Sequence, residues 1–336
     1  MKAKTILAGA VALALSALPL AAQESGVDNP TRNAVLKKLQ GKRVVYIPMN
    51  MSVDLTIGWN EIMQRQAREY GYTVDVRDAN WSTEAGSRAL TAAISEKPDL
   101  VVLQNPDVQS YARLIQQATN AGVKVLQLNM ESLVQSDAYT GADWVGIGYT
   151  AGKEVAARCA PGQGSSTKAQ IVMGVPTGPS DLYQVFGFKQ ALAEAGDEIQ
   201  IVSQQAAAYD PTRARSITAS VLQQHPDLCA SFGIWDSMDA GTGAAIKEAG
   251  KQDQVFVVTS GGGAQASCDK INEDIFDMLV AYDVRQQGAA INTLISSMLQ
   301  SDQPAGSGNT TVYTLNTPIT KDNMTPNSCW SMDDLN

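Results

Sequence analysis

The chain has 336 residues, 44% hydrophobic and 18% charged, an ordinary globular composition at a length that calls for two cores rather than one. The formal charge is −9, and without the first 22 residues, which hold two lysines and no acid, it is −11. A chain this acidic, with no basic cluster, argues against nucleic acid and against anionic membrane surfaces as partners.

Residues 1–22 read as a secretory signal peptide. Lys2 and Lys4 precede an apolar run over 6–18, and Leu20-Ala21-Ala22 supply a small-residue cleavage site. That run is too short for a stable membrane anchor, and no cysteine follows the site to carry a lipid. The expected mature protein is exported to the periplasm and soluble. Residues 23–41 form a polar N-terminal extension with one amphipathic patch over 32–39. A strand is predicted over 43–48, a polar loop over 49–56 and a helix over 58–70 that stops at Gly71. The strand 72–77, the loop 78–83 and the helix 84–96 follow, then the strand 99–104 and the helix 110–121, stopped by Gly122. An apolar run over 123–128 ends in Asn129-Met130-Glu131 and reads as a buried parallel strand. A second short apolar stretch, 144–148, precedes a helix over 150–159. The region 123–153 thus reads as the seam between two halves. Beyond it the grammar repeats, with strands over 169–175, 199–205, 228–234, 254–260 and 278–282. Helices are predicted over 181–195, 212–224, 237–249 and 286–300, then a linker over 304–309, a late strand over 311–315 and a tail. This alternation predicts right-handed βαβ units and parallel sheets.

In open α/β sheets ligands bind at the carboxyl ends of strands. The loops there hold Asn50, Asp54, Asn80, Trp81, Asn105, Asn129, Tyr209, Trp235, Asp236 and Tyr282. Two facing halves would point both sets into one cleft. Trp59, Trp81, Tyr209, Trp235 and Tyr282 fall in or beside predicted loops. Flat rings with hydrogen-bonding neighbours suit the C–H face of a sugar or polyol, or a ring compound. Core packing is the competing role for each ring.

Catalytic chemistry finds little support. The one histidine, His225, precedes a strand at the end far from the cleft, so neither a Ser-His-Asp nor a Cys-His arrangement is served. The chain lacks the ligand supply for a zinc site. Gly261-Gly262-Gly263 lacks the lysine and spacing of a phosphate loop and reads instead as a close backbone approach. Asp54, Asp107, Asp181, Asp236 and Asp283 near strand ends read as helix caps more readily than as a catalytic carboxylate pair. No enzyme, cofactor or metal is expected. Cys159, Cys229, Cys268 and Cys329 imply two disulfides in an oxidising compartment. Three pairings are open. Cys159 ends a helix that leads away from the seam and Cys229 begins a strand that leads back, which favours Cys159–Cys229 and leaves Cys268–Cys329 to hold the tail. Buried free thiols are the alternative.

Several phrases recur in one order: QAREYGY at 66–72, PDLVV at 98–102, Asn105-Pro106, AGVKV at 121–125 and HPDL at 225–228, with Gly187-Phe188 and Gln287-Gly288. In these the chain resembles the periplasmic solute receptors of the ribose/galactose-binding type, the receptors of ABC sugar importers, from about Lys42 to Leu315. The resemblance implies an α/β fold of two doubly wound parallel-sheet lobes (periplasmic binding protein type I) joined by a three-segment hinge. The crossings would fall near 146–148, 282–283 and 315–318. The N-terminal lobe would be 42–147 plus 283–316, and the C-terminal lobe 148–282 plus 317–336. Its ligand positions map onto Asp54 and Thr56, with Trp59 close by, and onto Asn129, Gln184, Tyr209, Trp235, Asp236 and Tyr282. At 129–130 the family carries Asp-Arg where this chain has Asn-Met. Gln184 replaces an arginine, Trp235 an asparagine, Gly261 an aspartate and Tyr282 a glutamine. Tyr209 keeps a stacking aromatic. Losing both arginines and two aspartates removes the charge-assisted bonds that fix a sugar ring. The implied ligand is a small neutral sugar, polyol or related cyclic molecule, with an aromatic or cationic compound as the other possibility. The implied partner is an ABC transporter membrane permease. A chemoreceptor or sensor kinase is the alternative, and a monomer is expected.

Overall fold

Runs such as Val44-Val45-Tyr46-Ile47 and Leu100-Val101-Val102-Leu103 are buried on both faces, the signature of parallel strands covered by helices on either side. The computed structural model describes residues 29–196 and 198–335. The predicted signal peptide lies outside them. The strands are β1 (Arg43–Ile47), β2 (Thr73–Val76), β3 (Leu100–Leu103), β4 (Lys124–Leu128), β5 (Ala138–Ala142), β6 (Lys168–Met173), β7 (Gln200–Ala206), β8 (Ala230–Gly233), β9 (Phe256–Gly261), β10 (Met278–Ala281), β11 (Thr310–Thr314) and β12 (Thr317–Thr320). They form two six-stranded sheets, ordered β11-β5-β4-β3-β1-β2 and β12-β10-β9-β8-β6-β7. Among the described strands only β12 runs antiparallel to its neighbour.

The helices are α1 (Pro30–Leu39), α2 (Asp54–Tyr70), α3 (Thr83–Glu96), α4 (Ala112–Asn120), α5 (Trp144–Arg158), α6 (Pro179–Glu194), α7 (Pro211–Gln224), α8 (Asp236–Glu248), α9 (Gln265–Asn272) and α10 (Val284–Gln300). α2 ends on Gly71 in the left-handed conformation, φ 78°, as a C-terminal glycine cap requires. Two predictions fail here. The apolar stretch 144–148, expected ahead of the helix, is already the first turn of α5, and the strand of this region is β5, Ala-Tyr-Thr-Gly-Ala, which has no run of branched residues to betray it. Neither α9 nor β12 was anticipated. The glycines of 144–148 serve helix packing instead. A Cβ on Gly148 would lie 1.8 Å from the Gln184 carbonyl oxygen, and one on Gly187 2.1 Å from that of Val145, so α5 and α6 touch backbone to backbone.

Each lobe has its own core. Val44, Trp59, Leu126 and Ile291 belong to one, and Ile171, Phe188, Phe232 and Val258 to the other. Among the described residues the chain passes between the sheets at residue 143, at 282–283 and at 315–316. The first passage lies ahead of Gly146–Gly148. Both disulfides form, Cys159–Cys229 and Cys268–Cys329. The tail, expected with the C-terminal lobe, does more than lie there. After β12 it is bridged to α9 through Cys329, and then Trp330 and Leu335 enter the core of the first lobe. The Trp330 indole donates to the Gly262 carbonyl at 2.7 Å and Arg65 donates to the Leu335 carbonyl at 2.8 Å. The tail therefore grips both lobes.

Candidate functional site

The carboxyl ends of both sheets face one another across a cavity of about 50 Å³. From the first sheet, Met49, Asn50 and Val53 follow β1, Gln104 follows β3, and Asn129 and Met130 follow β4. Trp81 comes from the loop after β2, and Leu55 and Thr56 from the start of α2. From the second half, Trp144 opens α5, Ser180 opens α6, Tyr209 follows β7, Ile234 and Trp235 follow β8, and Tyr282 follows β10. The halves touch directly. The Val108 backbone N–H donates to the Thr177 carbonyl at 3.2 Å, and the Trp81 ring lies 6.0 Å from that of Tyr209 and 6.2 Å from that of Trp235. Tyr209 and Trp235 meet edge to face at 5.9 Å, a favourable ring geometry.

The loops that present these groups are strained. Asn80 (φ 47°), Trp81 (φ 60°), Asn129 (φ 60°), Ala208 (φ 53°) and Tyr209 (φ 58°) all take left-handed backbone. For bulky side chains that costs about 1–3 kcal/mol each, so the surroundings must hold them. The Trp81 N–H donates to the Met49 carbonyl at 2.7 Å. The Tyr209 hydroxyl donates to Asp181 Oδ2 at 2.6 Å. Asn129 is fixed from two sides. Its Oδ1 accepts from Gln287 Nε2 at 2.9 Å and from the Ala142 N–H at 3.3 Å, while its carbonyl accepts from the Trp144 indole at 2.9 Å.

Among the described residues no charged side chain lines the cavity, but three carboxyls stand behind the rings. Burial pushes Asp181 and Asp236 up to about 6, against the pull of hydrogen bonds from Tyr209 and Ser267. Burial pushes Asp239 to about 8 despite bonds from Thr259 and the Trp235 N–H. Asp239 holds the Trp235 backbone at 3.3 Å and Thr259 Oγ1 at 2.6 Å. Asp181 and Asp239 thus hold Tyr209 and the Trp235 backbone, while Asp236 bonds Ser237 and Ser267; neither Asp181 nor Asp236 caps its helix as expected, since α6 has Gly178 and α8 has Trp235 at the cap position.

Of the predicted ligand residues, Thr56, Asn129, Tyr209, Trp235 and Tyr282 line the cavity. Asp54 and Asp236 border a neighbouring pocket with Leu55, Ser267 and Trp330. Gln184 is fully buried behind the lining, accepting from Ser260 Oγ at 3.0 Å and donating to the Ile234 carbonyl at 3.3 Å. Trp59 is fully buried in the first core and donates its indole N–H to Gln287 at 3.1 Å. It therefore supports Asn129 through Gln287 rather than facing the cavity. Asn50 and Trp81 had been noted as loop residues but not placed in the ligand set. Gln104, Met130, Ser180 and Ile234 were missed, although all but Ser180, which opens α6, lie where an apolar run gives way to a loop. Trp144 was missed because the helix it opens was expected to begin only at residue 150. His225 ends α7, outside the cavity lining. Among the described residues no group of three or more His, Cys, Asp or Glu could hold a metal ion, and no helix is long and apolar enough to cross a membrane.

Comparison with known proteins places this arrangement. A periplasmic binding protein domain matches residues 44–303. The ribose import binding protein of Bacillus subtilis is 25% identical over 239 residues, 69% of this chain and 72% of that protein. A D-ribose/D-allose-binding protein of Pseudomonas aeruginosa is 27% identical over 183 residues, 52% of this chain and 56% of that protein. The solved ABC transporter solute binding protein from Burkholderia graminis, in complex with D-arabinose, superposes with a TM-score of 0.75 at 20% identity, covering 86% of this chain and 98% of that one.

Proposed function

Since the chain belongs to the periplasmic binding protein family, we propose that it is the substrate-binding protein of an ABC importer, capturing a small neutral sugar, polyol or related cyclic molecule between its two lobes. The observation that carries this is the cavity between the lobes, lined by amides from one sheet and rings from the other. Such concave, largely apolar sites with a few convergent polar groups are where small ligands bind. The three passages between the sheets act as a hinge, and the lobe boundaries follow them. The ligand set comprises Thr56, Asn129, Tyr209, Trp235 and Tyr282, joined by Asn50, Trp81 and Gln104. The relatives named above are import or sugar-binding proteins, which supports a membrane permease as the partner that receives the closed form. The protein acts as an exported monomer after loss of residues 1–22.

Thermal unfolding of the mature protein against sugars, polyols, cyclitols, nucleosides and aromatic acids tests the reading. A ligand at about 100-fold over its Kd adds roughly 2.7 kcal/mol, several degrees at about 2–4 °C per kcal/mol. One hit recovered unchanged is the expected outcome. A compound consumed during the assay, or no shift from any member, would overturn it.

A further inference from the structure

The polar groups of the cavity are sorted by type. Asn50 Oδ1 accepts from the Ser52 N–H at 2.8 Å and from Ser52 Oγ at 2.9 Å. Gln104 Oε1 accepts from the Met49 N–H at 3.0 Å. Asn129 Oδ1 accepts from the Ala142 N–H and from Gln287. A backbone N–H can only donate, so each bond fixes which end of the amide is oxygen and turns the NH₂ group away from it. Those three NH₂ groups have no protein acceptor among the described residues, and neither have the indole N–H groups of Trp81 and Trp235. The Tyr282 hydroxyl likewise has no protein partner among them. None of these atoms is sealed inside protein without a partner.

Several acceptors, by contrast, are already engaged. Four backbone carbonyls of lining residues each take two bonds already. That of Val53 accepts from Ile57 N and Thr56 Oγ1, and that of Asn129 from Tyr139 and Trp144. That of Met130 accepts from both nitrogens of Asn105, and that of Ile234 from Gln184 and Ser260. A ligand entering here meets these free donors and ring faces, with the Tyr282 hydroxyl able to act either way.

We infer that the molecule this cleft captures is an uncharged ring compound rich in hydrogen-bond acceptors, with carbonyl or ether oxygens where a simple sugar or polyol has hydroxyls. The inference rests on the proposed role of the cleft as a capture site and narrows it. A hydroxyl brings a proton that must find an acceptor, and an unmet polar group in a water-poor site is costly. A cation finds no acceptor in those N–H groups and has only the ring faces to meet it. An anion meets no lysine or arginine and approaches three carboxyls behind the rings.

Isothermal titration of the mature wild-type protein at pH 7 with matched pairs tests this. D-Ribono-1,4-lactone is compared with ribitol, 1,3-dimethyluracil with uracil, and choline serves as the cation. The acceptor-rich member of each pair that binds is expected to be at least tenfold tighter than its partner, and choline silent. Ribitol, uracil or choline binding as tightly or tighter overturns the inference while leaving a binding protein in place. Silence from all five, with sugars and polyols active in the thermal screen, does the same. Silence in both assays overturns the capture role as well. Gln104→Glu keeps the oxygen that meets the Met49 N–H and replaces the free donor with an acceptor. It is expected to weaken the acceptor-rich probe at least tenfold, and Asn50→Asp repeats the exchange should the first variant unfold. Unchanged affinity in a folded variant counts against the inference.

Discussion

The two walls of the cleft are built from the same strand–loop–helix unit and yet offer different chemistry. The first lobe presents amides, Asn50, Gln104 and Asn129, whose oxygens are tied to backbone N–H groups. The second presents rings, Tyr209, Trp235 and Tyr282, backed by carboxyls of raised pKa. Trp81 reaches over from the amide side, 47% exposed at the rim, and touches the rings opposite. The difference teaches that repeating a topology repeats the place of a site and leaves its chemistry to the loops. On the capture role proposed above it would also divide the labour, with rings supplying contact area without directional demands and amides supplying direction.

The division is broken most severely at Tyr209. Tyr209→Ala removes a ring and strips the hydroxyl from buried Asp181. It is expected to cost about 3–5 kcal/mol of stability, and affinity for any cleft ligand should fall at least 100-fold by calorimetry. Tyr209→Phe keeps the ring and loses only the hydroxyl, for about 1–3 kcal/mol in urea unfolding. On the amide side, Asn129→Ala leaves the Ala142 N–H and Gln287 without their acceptor. A loss of about 1–3 kcal/mol is expected there too. A larger affinity loss from Asn129→Ala than from Tyr209→Ala would reverse the assignment of the two walls.

The acids behind the rings give the second lobe a pH dependence of its own. Folded values of about 6 for Asp181 and Asp236 and about 8 for Asp239 stand above the roughly 3.9 of an unfolded aspartate. At these three sites the folded state therefore holds more protons, and their contribution to stability is fullest below about pH 4 and is lost as pH rises through 6 and 8. Melting temperature should fall across that window, and Asp239→Asn should flatten its upper part. In the first lobe, hydrogen bonds from Arg77 and Arg43 lower Glu96 to about 2. Its contribution is lost only as pH falls through that value, and it lies at the surface. Thr56→Val should show the least, below about 1.5 kcal/mol, since its hydroxyl bonds only the Val53 carbonyl.

Most of the fold was legible because buried parallel strands are short apolar runs between helices of clear period. β5 was not, since two alanines, a tyrosine, a threonine and a glycine carry no such signal. Within the site, residues at strand ends were legible wherever an apolar run broke into Asn, Trp or Tyr. Depth was not. Trp59 and Gln184 follow the loops by a turn or so of helix, and only packing decides that they face the core. The tail was least legible of all, because the burial of Trp330 against α2 depends on contacts far away in the chain.

The disulfide pattern bears on how the protein is made. Each cysteine pairs with the next one along the chain, Cys159 with Cys229 and Cys268 with Cys329. A chain emerging N-terminus first into an oxidising space finds the right partner as the first newcomer each time. Pairing by order of arrival is then already correct, without the slow reshuffling that interleaved bridges demand. The second bridge must wait for β10 through β12 to emerge, so seating Trp330 between the lobes becomes a late step of assembly.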